Sequence, residues 1–126
     1  MENSFLFVYG SLRPEAGHIM GARLASQAHW LGQAQVRGDL YRVSWYPALV
    51  SGEGLVVGDV YGIPERLWPE LDHFEEADRA DPEYRRLVSP VQLASGLWLD
   101  AWVYWYARPV KGLARISGGD WLNAPP

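Results

Sequence analysis

The chain has 126 residues, enough for one domain to close a hydrophobic core without disulfide or metal staples. Seven Trp, seven Tyr, thirteen Gly and nine Pro point to short, mostly β elements joined by turns, and a net charge of -4 gives no electrostatic footing for a nucleic-acid backbone. The absence of cysteine excludes disulfides, thiolate nucleophiles and Cys-based metal sites, and the five-residue apolar run near the N-terminus is too short for a secretory h-region or a membrane span, so a cytoplasmic protein away from membranes is expected.

In chain order, residues 5–9 (FLFVY) predict a first strand, and the lack of alternation predicts burial on both faces. Residues 14–32 predict a long connection with a short helix near 21–27. Residues 33–41 predict a strand, Tyr46-Pro47 opens a loop, and SGEG at 51–54 reads as the turn of a hairpin whose second strand spans 55–63. Pro64 suits a first helical turn, and Leu67, Trp68, Leu71 and Phe74 give the following helix an apolar face. It is expected to fray over 76–80. Strands at 84–93 and 97–106 pair as a hairpin through Ala94-Ser95-Gly96, the second of them central in the sheet. NAPP at 123–126 reads as a loose end.

The familiar catalytic kits are mostly missing. His18, His29 and His73 stand 11 and 44 residues apart, with no pair placed to ligate from one helix, so no metal or cofactor is expected. Gly10-Ser11 is followed by Leu12-Arg13, which is neither a nucleophile elbow nor a phosphate loop. By itself it reads as a turn, with Arg13 solvated or, as the alternative, drawn to an anionic substrate group.

The acidic run at 71–86 (LDHFEEADRADPEYRR) says more. If the helix persists through Glu76, Glu75 falls about 50° from the centre of the apolar face and Glu76 about 150° away. Glu75 then meets the core and Glu76 meets water. A carboxylate held against apolar side chains gains a raised pKa suited to general acid/base work. The other reading pairs Glu75 with Arg85 or Arg86 and makes it structural. The pattern leaves both open.

VYGSLR at 8–13, LDHFEE at 71–76 and YRR at 84–86 occur in this order, with WYPAL at 45–49, VVGDVYGI at 56–63, AWVYWY at 101–106 and SGGDWL at 117–122. Together they resemble the γ-glutamylcyclotransferase-like superfamily, in particular its small bacterial members and the γ-glutamylamine cyclotransferase branch. The resemblance implies an α+β, mostly β fold: a small mixed barrel-like sheet with one or two flanking helices and a cavity at one end. It implies that Tyr9, Gly10, Ser11 and Leu12 bind a glutamyl head through backbone groups, and that Glu75 is the essential acid/base. Tyr84 and Arg86 match a Tyr-x-Arg element. Tyr84, with Tyr104 or Tyr106, is expected at the cavity wall, core packing being the alternative for any one of them. The implied reaction releases 5-oxoproline and a free amine from a γ-glutamyl amide, and the alternative is an inactive metabolite-binding member of the same fold. The chain departs from the family where a glycine usually follows the glutamate and Glu76 stands instead.

Overall fold

The computed structural model describes residues 4–124. Strands β1 (Ser4–Val8), β2 (His29–Arg42), β3 (Pro47–Ile63), β4 (Tyr84–Leu93), β5 (Trp98–Tyr106) and β6 (Ala114–Arg115) form one sheet in the order β3-β1-β5-β4-β2-β6. A further pairing of β2 with β3 closes the first five strands into a barrel. β1 and β5 run parallel and the other neighbours antiparallel, so the sheet is mixed and β5 is central, as expected.

The apolar run of β1 is explained by two cores. Phe7 and Tyr9 fill the barrel with Val36, Val60 and Val103. Leu6 and Val8 face the other way, onto Leu24 of α1 (Ile19–Gln27) and onto Trp68 and Leu71 of α2 (Trp68–Phe74). Successive strand residues point to opposite faces, so burial on both sides demands hydrophobes at every position.

Several elements depart from the pattern reading. The connection expected over 14–32 contains a 3-10 turn, α1 and the start of β2. The His18 imidazole caps α1 by accepting the Met20 N–H at 3.0 Å. SGEG is no turn; the chain reverses earlier, over residues 43–46, and 51–54 form an excursion within a 17-residue strand, where Arg37 pairs with Leu55 but Asp39 with Val50. The glycines are needed because the Asp39 carboxylate fills that excursion, accepting the Gly54 N–H at 3.2 Å; a methyl on Gly52 would lie 2.1 Å from it. Of the supposed loose end, Asn123 closes a 3-10 turn (Trp121–Asn123), Ala124 packs against the barrel core, and residues 125 and 126 lie outside the described residues.

The helix expected from Pro64 starts as a 3-10 turn, Glu65–Leu67, and becomes α-helical at Trp68, where Pro69 occupies the first turn. It ends at Phe74 rather than running on through Glu76. Glu76 donates its N–H to the His73 carbonyl (3.1 Å) and Ala77 to that of Asp72 (2.8 Å), a Schellman ending with Glu76 at φ 54°. Glycine, the residue that the resemblance led one to expect after Glu75, takes such a left-handed position without strain.

Arg13 also differs from expectation. It is 2% exposed, and its guanidinium binds Asp59 of β3 (2.8 Å) and Asp120 near the C-terminus (2.9 Å). Trp30 donates to the other oxygen of Asp59 at 3.0 Å. The chain had to be closed for these partners, distant in sequence, to meet.

Two stability measurements follow, both by denaturant unfolding. Arg13→Ala strands two carboxylates, one of them buried, and is expected to lose roughly 3–5 kcal/mol. Glu76→Gly relieves the left-handed strain and is expected to gain about 1 kcal/mol.

Candidate functional site

At one end of the barrel a cavity of about 310 Å3 opens between the end of β1, the loop before β3, the end of α2 and the start of β4. Its wall includes Tyr9, Gly10, Ser11, Leu12, Trp45, Tyr46, Phe74, Glu75, Glu76, Glu83, Tyr84 and Tyr104. Of the residues singled out in the sequence, Tyr106 stands outside this lining and packs edge-on behind Tyr84, at 5.4 Å between ring centres. Trp45 and Glu83 were not foreseen. Trp45 lay in a quoted motif with no chemical cue, and Glu83 was one acid among many.

The β1 end of the wall is rigidly built. Arg13 N–H returns to the Gly10 carbonyl at 3.0 Å, closing a tight turn. A methyl on Gly10 would come within 2.7 Å of the Pro47 ring, so glycine is required there by packing. α1 presses on the same turn from behind, since a methyl on Gly21 would lie 3.0 Å from the Ser11 carbonyl oxygen. Among the described residues no hydrogen bond takes up the Ser11 or Leu12 N–H. Two such neighbouring amides in a cavity wall are donors for an anionic oxygen.

Glu75, just past the end of α2, lines the same cavity. The basic neighbour that might have neutralised it is committed elsewhere. Arg86 binds Asp72 through two contacts, at 2.8 and 3.2 Å, and lies over the rings of Trp68 and Trp102, 4.1 and 4.5 Å from their centres. The Tyr104 hydroxyl donates to the same carboxylate at 2.8 Å, and Arg85 is exposed. Among the described residues the Glu75 carboxylate has no ion pair or hydrogen bond. Burial, helped by the nearby Glu83 carboxylate, pushes its pKa up to about 8.

Glu76 is less segregated than the helical phase predicts. It too lines the cavity, because the left-handed turn at this residue ends the helical phase, and its carboxylate pairs with Arg79. The phenols are tied down: Tyr9 donates to the Tyr104 carbonyl (2.5 Å), Tyr84 to that of Pro47 (2.6 Å) and Tyr46 to Glu83 (2.5 Å). Burial raises the pKa of all three, so they act as neutral donors near neutral pH. Among the described residues no group of three or more His, Asp or Glu is arranged to hold a metal ion.

Comparison with known proteins gives a consistent picture. Residues 6–123 match the profile of the family described as "Gamma-glutamyl cyclotransferase, AIG2-like". The chain is similar to the "Gamma-glutamylcyclotransferase family protein YtfP" of Escherichia coli K12, with 38% identity over 125 residues, covering 94% of this chain and 96% of the relative. It is also similar to the solution structure of ytfP from Escherichia coli, at TM-score 0.68 and 36% identity over 94% of this chain and 96% of that one. An AIG2-like protein from Mus musculus shares the fold at TM-score 0.73 and 23% identity, over 99% of this chain and 86% of that one.

The unpaired carboxylate predicts a pH-dependent cost. A carboxyl whose pKa rises on folding holds its proton more tightly when folded, so stability falls as pH rises from about 4.5 toward about 8. Glu75→Gln is expected to exceed the wild type by at least about 1 kcal/mol at alkaline pH, with the gap closing under acidic conditions. Denaturant midpoints of both proteins across this range check it.

Proposed function

The chain belongs to the gamma-glutamyl cyclotransferase, AIG2-like family, and from that premise we propose that it cyclises a γ-glutamyl amide to 5-oxoproline with Glu75 as general acid/base. The family and its named relatives support γ-glutamylcyclotransferase-like activity on a small γ-glutamyl molecule. The observation that carries the finer reading is the Glu75 carboxylate, unpaired among the described residues, its pKa pushed up to about 8, in the wall of the same cavity as the unbonded Ser11 and Leu12 amides.

In this reaction the nucleophile belongs to the substrate. The α-amino nitrogen attacks the γ-carbonyl carbon, a C–N bond forms within a five-membered lactam, and the original amide C–N bond breaks. The protein holds the glutamyl chain folded on itself, and that proximity lowers much of the barrier. Glu75 as carboxylate takes a proton from the α-ammonium and returns it to the departing nitrogen. The second proton, lost by the attacking nitrogen once the ring C–N bond has formed, passes the same way. The amine therefore leaves as an ammonium, and Glu75 is unchanged after one cycle. The Ser11 and Leu12 amides supply donors for the anionic oxygens of the substrate. Tyr84 and Tyr104 shape the wall with hydroxyls already engaged, and Tyr106 supports Tyr84.

A panel of γ-glutamyl amines and γ-glutamyl amino acids, followed by 5-oxoproline release, tests the reading. Wild type is expected to turn over at least one member, with kcat/KM rising through an apparent pKa near 8. Glu75→Gln is expected to lower it by roughly 10²- to 10⁴-fold with an unchanged circular dichroism spectrum. Equal rates in the two proteins would remove Glu75 from the reaction.

A further inference from the structure

The reaction leaves Glu83 without a role. This residue is only 7% exposed and lines the cavity, and its backbone carbonyl is fixed by the Ala107 N–H at 2.8 Å. Its Oε2 accepts the Tyr46 hydroxyl, and among the described residues no Lys, Arg or His pairs with it. Carboxylates buried to this degree are ordinarily matched by a cation. The wall offers none: it carries three glutamates, four tyrosines, Trp45 and Phe74, and no basic side chain.

The place of Glu83 along the cavity suggests where the missing charge comes from. Tyr46, which holds it, packs edge-on against Trp45 at 5.0 Å, and Trp45 is 58% exposed. This is the mouth. Glu75 acts more strongly than Glu83 on the buried tyrosines Tyr9 and Tyr104, at the inner end, while Glu83 acts on the more open Tyr46 and Tyr106. Ser11 and Leu12 line the same cavity. With the glutamyl head at that inner end, as the proposed reaction requires, the departing amine runs outward past Glu83.

We propose that Glu83 is a specificity-determining residue that pairs with a second positive charge on the departing amine and disfavours a carboxylate there. The preferred substrate class is then the γ-glutamyl amide of a diamine or polyamine. The Trp45 and Tyr46 rings in the same wall reinforce the choice, since aromatic rings attract an ammonium group. This inference rests on the reaction proposed above.

The test uses three γ-glutamyl amides of similar reach: of putrescine, of pentylamine and of γ-aminobutyrate. Wild type is expected to favour the putrescine amide over the pentylamine amide by about tenfold or more in kcat/KM, with the γ-aminobutyrate amide slowest. In Glu83→Gln the putrescine-to-pentylamine ratio is expected to fall toward one. Tyr46→Phe, which keeps the charge but loses its tether, is expected to fall between. Circular dichroism establishes that each variant is folded, and the wild-type ranking is a test even if one is not. Turnover with no charge preference, or preference for the carboxylate-bearing amide, would overturn the inference and leave the reaction standing. An unchanged ratio in folded Glu83→Gln would overturn it equally. Failure to release 5-oxoproline from every one of the three amides and every member of the wider panel would overturn the reaction and the inference with it.

Discussion

The site depends on where one guanidinium goes. Arg86 lies over the rings of Trp68 and Trp102 and is bound through two nitrogens to Asp72, whose other partner is the Tyr104 hydroxyl. That arrangement joins α2 to β4 and β5, with the charge matched and the planar cation stacked on aromatic faces. Its consequence is felt one helical turn later. Glu75 is left beside the same aromatic core with no cation of its own, and desolvation acts on it unopposed. An ion pair that stabilises the scaffold thus withholds stabilisation from the neighbouring carboxylate, which is how a raised acid persists next to an arginine.

The opposite wall is fixed by exclusion and by charge. Gly10 meets Pro47, Gly21 meets the carbonyls of Ser11 and Arg13, and Arg13 is anchored to Asp59 and Asp120. Each contact brings a different part of the chain onto the segment from Gly10 to Arg13. The proposed reaction, which folds the substrate on itself, requires walls placed within fractions of an ångström, and these three contacts restrain the segment. Glycine at position 10 therefore serves packing first. Any close approach of substrate to the backbone comes from the Ser11 and Leu12 amides that the turn leaves unbonded.

Much of this was legible in the residues, though unevenly. The hairpin of β4 and β5, the buried strand β1 and the apolar face of α2 all follow from periodicity, because burial selects hydrophobes locally. The helical phase also singled out Glu75, which does line the cavity. The same reasoning misjudged Glu76, since a phase argument fails once the chain turns left-handed. SGEG misled for a related reason: glycine marks both a turn and a place where another group must come close, and here the group is the Asp39 carboxylate.

The sequence by itself determined the mostly β class, the apolar strands, the helix before the acidic run and the residues that carry the family resemblance. These are properties of local patterns, each set by the period of a strand or helix. Only the tertiary structure decided which charges meet: Arg13 with Asp59 and Asp120, Arg86 with Asp72, and Glu75 with none among the described residues. The reason is physical. Whether a carboxylate is neutralised depends on distances of a few ångströms between residues that lie tens of positions apart in the chain. No local pattern fixes those distances until the barrel has closed.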